Sequence, residues 1–433
     1  MKRPLSGWGC SQVMDCDVRD WDAEHVSLWA QHGGIARGLG RAYGDSAYNQ
    51  QLTVETGSLN RVVQFDSESG VLVAEGGLSL YAMLRTIVPH GWFVPVTPGT
   101  QFVTLGGMIA ADVHGKNHHH QGSFAHCVDW IEMMDPTGQR HRVSREQDPA
   151  WFNWTCGGMG LTGVILYAQI RLLPIHSPWI EQTTVVTPDL EATMHCFESK
   201  VDAPYSVAWL DASARGSKLG RSVVFLGAHQ NESELPPGEW IAPRRSCPEV
   251  PRLPFGVVNR WTTDLFNTVY YRKQSNNQKP VHWQTYFYPL DGLNHWNRVY
   301  GPKGFAQFQT VIPIDSAPAC IPLLLKIVRI HGFASPVSVL KKMGAEASGI
   351  SFPMPGYTLT VDLPNRSGLR KLMSQLIDCA IDHGGRFYLA KDLHLTAEQC
   401  FRADSRMDAF RAFREARGMR SVFVSEQSKR LGL

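Results

Sequence analysis

The sequence predicts an α+β protein with a mixed N-terminal part followed by an antiparallel-sheet part. The 433 residues fit roughly two to three domains. Before about Thr183, β-branched runs alternate with helical patterns and with three glycine clusters. After Thr183, strand-like segments with alternating aromatic residues follow one another, which is typical of an antiparallel sheet covered by helices. The hydrophobic content of 43% is sufficient for a large buried core.

Charge, apolar runs and cysteine spacing argue against several protein classes. A net charge of +3 is too small to indicate nucleic-acid binding. No apolar run reaches the length of about eighteen residues that predicts a spanning helix. The basic N-terminus also lacks the apolar segment of a signal peptide. The nine cysteines form no C-x-x-C pair, which predicts reduced, mostly buried thiols in a cytoplasmic protein.

The first glycine cluster lies in residues 32–49, HGGIARGLGRAYGDSAYN, which form a loop by composition. Its backbone N–H groups and the side chains of Arg37 and Arg41 suit a pyrophosphate, because both donate to anionic oxygens. The order of residues matches neither a G-x-G-x-x-G loop before a helix nor a Walker loop. A glycine-rich surface turn is the alternative interpretation.

The segments after this loop have clear local patterns. Residues 61–74 predict a hairpin around a Ser-Glu-Ser-Gly turn. Ser79 is predicted to cap a helix that has one apolar face and ends at Pro89. Val128–Met134 predicts a strand, and the third glycine cluster, at 157–163, leads into another strand.

The most informative stretch is residues 97–123, TPGTQFVTLGGMIAADVHGKNHHHQGS. Its small residues let the backbone lie against a ligand, because glycine has no Cβ and leaves the N–H groups accessible. A strand-like run interrupts the glycines at Phe102, Val103 and Leu105. The histidines suggest a metal site as an alternative, formed by His114, His118, His119, His120 and His126. No cysteine or carboxylate at helical ligand spacing supports that alternative, so we expect no metal.

The second part of the chain combines predicted strands with an irregular segment. The predicted strands are 206–210, 222–226, 284–288, 306–312 and 357–361. Six prolines between Leu235 and Pro254 exclude regular structure there. They predict a mobile lid or connection, with an irregular surface loop as the alternative.

The clearest helical pattern covers residues 369–381, with Ser367 as the predicted cap and Gly384 at its end. Residues 386–392, RFYLAKD, follow as four strand residues and then Lys391. A lysine that leaves a strand in this way can be half buried and therefore less basic than in water. The alternative is a surface lysine paired with the aspartate that follows it.

Six segments spread along the chain carry a resemblance. In chain order they are ARGLGRAYGDSAYN, PVTPGTQFVTLGGMIAADVHGKNHH, GGMGLTGVIL, YGPKGFAQFQTVIP, SFPMPGYTLTVDLP and GGRFYLAKD. They resemble the decaprenylphosphoryl-β-D-ribose 2′-oxidase family of FAD enzymes, from about Gly33 to Leu433. The resemblance implies the two-domain vanillyl-alcohol-oxidase/PCMH-type FAD-binding fold. Residues 1–178 would bind FAD, 179–384 would form the antiparallel-sheet substrate domain with the Pro-rich loop 235–254, and 385–433 would return to the FAD domain.

The resemblance also implies the cofactor contacts. They are Arg37, Gly38, Leu39, Gly40, Arg41, Ala42, Tyr43, Gly44, Asp45, Ser46, Gly99, Thr104, Leu105, Gly106, Gly107, Ala111, Asp112, Val113, His114, Ile165 and Tyr388. Some sugar oxidases of this fold bind FAD covalently through a histidine in the first loop. This chain has Ala42 and Tyr43 there, so we expect non-covalent FAD.

The catalytic residues implied by the resemblance are Lys391, His114 and Tyr43. Lys391 would accept the hydroxyl proton of the sugar while flavin N5 accepts the hydride. The implied substrate contacts are Lys116, Gln307, Gln309, Lys341 and Thr360, and the two lysines would suit the phosphate diester. Two positions depart from the family pattern, because Phe287 replaces a tyrosine and Thr360 replaces a cysteine. These changes bear on the identity of the sugar or lipid rather than on the redox step.

The expected reaction is oxidation of the 2′-hydroxyl of a polyprenyl-phosphoryl-β-D-ribose to the ketone. It would be the first half of an epimerisation to the arabinose form, completed by an NAD(P)H-dependent short-chain reductase. An aldonolactone or alditol oxidase acting on soluble sugars is the alternative. We expect a cytoplasmic enzyme with peripheral contact with the inner face of the membrane, through the Pro-rich loop and residues 261–271.

Overall fold

The computed structural model describes residues 1–22, 26–232, 239–241, 247–345 and 349–433. Much of the predicted Pro-rich loop 235–254, at 235–238 and 242–246, lies outside the described residues. The fold is α+β, as predicted, and its larger sheets have four, five and eight strands. No helix in the described ranges has the length and apolar character needed to cross a bilayer.

Two sheets form from the N-terminal residues. The first contains β1 (Lys2–Ser6), β2 (Val13–Asp20), β3 (Ile35–Arg37) and β4 (Thr53–Glu55) in the order β1-β2-β4-β3. The second is antiparallel and contains β5 (Val62–Asp66), β6 (Val71–Glu75), β8 (Val128–Met134), β9 (Arg140–Ser144) and β10 (Val164–Arg171), in the order β5-β6-β10-β8-β9. The short strands β7 (Trp92–Phe93) and β11 (Leu173–Pro174) pair with each other. The helices of this part are α1 (Val26–His32), α2 (Leu80–Ile87), α3 (Leu105–Ala110), α4 (His118–Gln121) and α5 (Pro149–Thr155).

Most local predictions for this part are confirmed, and one is wrong. The hairpin is β5 and β6, and the Ser79 side chain accepts a hydrogen bond from the Ala82 N–H at the start of α2. The run through Phe102 and Val103 is not a strand, because Thr104 caps α3 by accepting from the Gly107 N–H. The glycines of this stretch therefore begin a helix.

The second part of the chain forms an antiparallel sheet of eight strands. These are β12 (Trp179–Thr187), β13 (Tyr205–Leu210), β14 (Ser222–His229), β15 (Asn277–His282), β16 (Phe305–Pro313), β17 (Ser338–Met343), β18 (Gly356–Pro364) and β19 (Arg386–Phe387). Their order is β15-β12-β14-β13-β17-β18-β16-β19. The associated helices are α6 (Leu190–Ser199), α7 (Arg260–Arg272), α8 (Trp283–Phe287), α9 (Ala317–Ile330) and α10 (Leu369–Asp382). The apolar residues of α9 and α10 pack with this sheet in one buried cluster, which confirms the helix-covered sheet.

Three details of the second part differ from the predictions. Residues 284–288 are not a strand, because α8 buries Trp283, Tyr286 and Phe287, which have helical spacing. Helix α10 forms as predicted, but Gly368 precedes it in the left-handed conformation and no side chain caps it. Strand β19 has two residues rather than four, and the chain then turns so that the Lys391 N–H donates to the Tyr388 carbonyl at 2.8 Å.

The C-terminal helices return to the first glycine loop. They are α11 (Ala397–Ala403), α12 (Arg406–Ala416) and α13 (Glu426–Leu431). Arg430 of α13 forms ion pairs with Asp45 at 2.7 Å and with Asp392 at 2.8 Å. A Cβ added to Gly44 would lie 1.8 Å from the Asp392 carbonyl oxygen, so only glycine fits this approach. The loop 37–46 is thus fixed against the turn that carries Lys391.

Candidate active site

A cavity of about 610 Å³ is lined by the N-terminal glycine clusters, the eight-stranded sheet and the C-terminal turn. The predicted site residues that line it are Gly38, Leu39, Gly40, Arg41, Ala42, Tyr43, Ser46, Gly99, Thr104, Gly106, Gly107, Ala111, Val113, His114, Ile165, Gln307, Gln309, Lys341, Thr360, Tyr388 and Lys391. Gly160 and Gly163 also line it, so all three glycine clusters meet at one cavity. Its volume lies within the range of about 300–1,000 Å³ that is typical of cofactor and ligand pockets.

Six predicted site residues stand outside this lining. They are Arg37, Gly44, Asp45, Leu105, Asp112 and Lys116. The Asp112 carboxylate accepts from the Ser123 hydroxyl at 2.6 Å and from the Ala125 N–H at 2.9 Å. These bonds join the chain just after α3 to the chain just after α4. The ammonium of Lys116 donates to the carbonyl oxygens of Tyr286 at 2.6 Å and Phe287 at 3.3 Å. This geometry contradicts the predicted phosphate-binding role of Lys116.

The first glycine loop offers donors that the rest of the described chain does not use. The backbone N–H groups of Gly38 to Ala42 have no acceptor among the described residues. Within the described ranges, the Arg37 guanidinium donates to the carbonyl oxygens of Ser6 and Ala47. Arg41 stacks on the Trp8 ring, with its guanidinium carbon 4.0 Å from the ring centre. Burial lowers the pKa of both arginines, because the charged guanidinium loses water. These donors fit an anionic diphosphate.

Lys391 lies beside the first glycine loop, with its Nζ 3.5 Å from the ring centre of Tyr43. Burial lowers the pKa of Lys391, the nearby charge of Lys341 lowers it further, and Asp362 opposes both. Burial also raises the pKa of Asp362, whose carboxylate accepts a hydrogen bond from the Gln307 amide. Asp392 pairs with Arg430 instead, so the alternative of a surface Lys391–Asp392 pair is wrong. The site therefore contains a lysine that is less basic than usual.

A second polar chain runs through His114. Lys341 Nζ lies 3.2 Å from His114 Nδ1 and donates to it, since an ammonium has no acceptor. The other ring nitrogen, Nε2, lies 3.0 Å from the Gln309 side-chain amide. With the ring proton on Nε2, this contact is a hydrogen bond when the amide is turned so that its oxygen accepts. Burial and the charge of Lys341 lower the pKa of His114 well below its usual value, so this imidazole is neutral. Burial lowers the pKa of Lys341 to about 8.

The strand register explains why these side chains share one face. Gln307 pairs with Asp362 and Gln309 with Thr360 in β16 and β18, and Lys341 pairs with Thr358 in β17 and β18. Alternate residues of a strand point to the same face. Because Thr360 lies on this face, the alternation of side chains along β18 also predicts Asp362 here. Asp362 was not among the predicted site residues. Trp8 and Asp291, which also line the cavity, have no comparable signal in the sequence.

The histidines after the second glycine cluster do not form a metal site. His118 Nδ1 accepts from the Gly344 N–H at 2.9 Å. His119 and His120 contact the carbonyl oxygens of Ala203 at 3.0 Å and Val201 at 2.7 Å. In the described part of the chain, possible ligand atoms within 4.8 Å of one another come from Cys320, Cys379 and His383, away from this cavity.

Comparison with known proteins identifies the family. A family model described as an FAD binding domain matches residues 24–144. The decaprenylphosphoryl-β-D-ribose oxidase of Mycolicibacterium smegmatis is 35% identical over 99% of this chain and 97% of its own length. The chain belongs to the decaprenylphosphoryl-β-D-ribose oxidase family. Membership in this family confirms the predicted resemblance, the PCMH-type fold and FAD as the cofactor, and makes the protein an FAD-dependent oxidoreductase.

Two further relatives show how far the similarity extends. An uncharacterised Streptomyces coelicolor protein, named for its place in the mprA 5′ region, is 31% identical over 82% of this chain and 100% of its own length. The L-gulonolactone oxidase of Mus musculus is 26% identical over 32% of this chain and 31% of its own length. The likeness to decaprenylphosphoryl-β-D-ribose oxidase therefore extends over both halves of the chain, whereas the likeness to the lactone oxidase is partial.

Proposed function

We propose that this enzyme oxidises the 2′-hydroxyl of a polyprenyl-phosphoryl-β-D-ribose to the 2′-ketone. The name and full-length similarity of the M. smegmatis relative support this substrate class. The observation that carries the proposal is the half-buried Lys391 amine beside the Tyr43 ring, in a cavity that is also lined by residues 38–42, whose N–H groups have no acceptor among the described residues. A separate NAD(P)H-dependent short-chain reductase would then reduce the ketone to the arabinose form.

We assign FAD binding to residues 1–178 and 385–433, and sugar binding to residues 179–384. The N–H groups of residues 38–42 and the Arg41 guanidinium would hold the diphosphate, while Arg37 supports the loop through the Ser6 and Ala47 carbonyl oxygens. When bound, FAD supplies the hydride acceptor. The loop 37–46 contains neither histidine nor cysteine, which supports non-covalent binding.

Lys391 is the base in this proposal. A lysine must be in its deprotonated, neutral form before it accepts a proton, and the pKa of a general base is best matched to the working pH. Burial and Lys341 provide this match by making the ammonium form of Lys391 less favourable. Tyr43 packs under the amine and fixes its position, while the neutral His114 and Gln309 offer hydrogen bonds to the sugar.

Lys341 would bind the phosphate diester of the substrate. It lines the cavity, whereas its neighbour Lys342 points to the other face of β17 and pairs with Glu198 at 2.5 Å. We therefore expect Lys341→Met to raise KM about tenfold or more, since a charge-assisted hydrogen bond is lost. The matched variant Lys342→Met should leave KM near the wild-type value. Equal KM changes in both variants would remove Lys341 from phosphate binding.

The pH dependence of turnover tests the lysine and its neighbours. Only the neutral amine accepts a proton, so kcat/KM should rise with pH through the Lys391 pKa and then level off. Asp362 stabilises the ammonium form and thereby raises this pKa. Asp362→Asn should therefore move the rising limb of the profile to lower pH. A limb that stays in place, or moves to higher pH, contradicts the assignment of that limb to Lys391.

The direct test of the proposed function uses farnesylphosphoryl ribose and an artificial electron acceptor with the FAD-loaded protein. We expect formation of the 2′-keto sugar, identified by mass spectrometry after borodeuteride reduction, which leaves one deuterium on the carbon that was oxidised. Rapid peroxide production with free alditols, without turnover of the phosphoryl ribose, would instead establish the alditol oxidase alternative.

A further inference from the structure

Helix α7 has its apolar side exposed and its polar side buried. The exposed apolar side chains are Trp261, Leu265, Phe266 and Val269. Trp261 is 80% exposed and Leu265 is 67% exposed, while Thr263 and Asn267 on the opposite side are buried. Helices on the surface of globular proteins usually show the reverse arrangement. Packing against the core of this protein therefore does not account for the apolar side of α7.

Specific contacts fix this orientation. Asn267 Nδ2 donates to Asp211 Oδ1 at 2.9 Å and lies 3.3 Å from the Ser335 carbonyl oxygen. Asp211 also forms an ion pair with Arg221 at 2.7 Å, so Asn267 anchors α7 to a buried ion pair. The helix cannot rotate its apolar side inward without breaking these bonds.

The same surface is positively charged. We define the α7 surface as residues 252–273. Of the fourteen large hydrophobic side chains exposed among the described residues, six lie in this segment, at Phe255, Val257 and the four positions of α7 named above. The exposed cations around them are Arg252, Arg260, Arg272 and Lys273. The single acidic residue of the segment, Asp264, is paired with Arg215 at 3.7 Å.

We propose that the α7 surface docks on an anionic lipid bilayer. Exposed aromatic and aliphatic side chains among arginine and lysine are the chemistry of a helix that lies in the membrane interface. This proposal rests on the proposed function, because a polyprenyl-phosphoryl sugar must be taken from a bilayer.

The buried side of α7 lies near the cavity. Asn267 contacts the Ser335 carbonyl oxygen, and two residues further along the chain Val337 lines the cavity together with Val339. The helix therefore lies close to the apolar part of the cavity lining that precedes Lys341 in β17.

Sedimentation of the FAD-loaded protein with vesicles tests the docking. The vesicles contain phosphatidylcholine alone or phosphatidylcholine with phosphatidylglycerol. We expect binding to the anionic vesicles, and binding weakened about tenfold or more in the double variant Trp261→Glu with Leu265→Glu. Arg272→Glu with Lys273→Glu should also weaken it, because two attractive charges are reversed. The control is Ile330→Glu, at a side chain of α9 that is 75% exposed, and it should bind as the wild type does.

Turnover separates the docking from the proposed reaction. The α7 variants should oxidise farnesylphosphoryl ribose in solution at the wild-type rate but lose activity on a long-chain substrate embedded in vesicles. Absence of vesicle binding by the wild type, or equal binding by the α7 double variant, would overturn the docking. A dimer that Trp261→Glu dissociates in analytical ultracentrifugation, with no vesicle binding, would assign the surface to a second copy of the chain. Vesicle binding without turnover of the farnesyl substrate would reject the proposed reaction alone.

Discussion

Lys391→Ala is expected to lower kcat by about 100- to 10,000-fold, the usual contribution of a general base. The side chain contributes its amine to the cavity, while the ion pairs that hold the neighbouring turn come from Asp392 and Arg430. The variant should therefore fold and keep its flavin. The measurements are the visible absorbance of the purified protein and its turnover of farnesylphosphoryl ribose.

Two further substitutions distinguish the base from a packing role. Lys391→Met keeps most of the length and the apolar body of the side chain, and it should lose activity as the alanine variant does. Lys391→Arg keeps the positive charge, but a guanidinium does not deprotonate near neutral pH, so it should also be inactive. Wild-type turnover by either variant, with flavin bound, would remove Lys391 from the mechanism.

Arg430→Met should lower the free energy of unfolding by about 3–5 kcal/mol, because two buried carboxylates lose their cation. The side chains of Asp45 and Asp392 are 4% and 6% exposed. Burial already raises the pKa of Asp45, and Arg430 opposes that shift. Without Arg430 the pKa of Asp45 rises further. At pH values above this pKa, the ionised and unpaired carboxylate destabilises the fold. The loss should therefore shrink as the pH falls, which urea unfolding at mildly acidic and mildly alkaline pH will show.

Arg402→Met is the matched control for this change. Arg402 is 47% exposed and forms its ion pairs with Asp378 at 3.9 Å and Asp382 at 3.8 Å. Exposed pairs of this kind contribute at most about 1 kcal/mol. If Arg430→Met were no more destabilising than Arg402→Met, the Asp45–Arg430–Asp392 bridge would have no part in holding the site together.

The sequence predicts those parts of the site that local patterns encode. Glycine spacing identified three clusters that do meet at one cavity, and Ser79 and the apolar positions after it predicted α2 with its cap. Gln307 and Gln309 were identified through the family resemblance and not from strand alternation. The alternation of side chains along β18 is sufficient to predict that Asp362 lies on the same face as Thr360.

Other features depend on contacts between distant parts of the chain. The burial of Lys391 follows from the pairing of Asp392 with Arg430, 38 residues later, and no local pattern predicts that choice. Lys116 follows a glycine within a predicted ligand-binding stretch, yet its ammonium donates hydrogen bonds to carbonyl oxygens of α8. Residues 284–288 have β-rich composition but form a helix, because their aromatic side chains enter the core with helical spacing.

The bridge from Asp45 to Arg430 has a consequence for biosynthesis. The loop that we assign to the FAD diphosphate leaves the ribosome early, whereas its anchor in α13 is translated almost four hundred residues later. Until then Asp45 has no cation and the turn bearing Lys391 has no fixed place. Loading of the cofactor is therefore expected to follow translation of α13, so that a nascent chain interrupted before it would remain colourless.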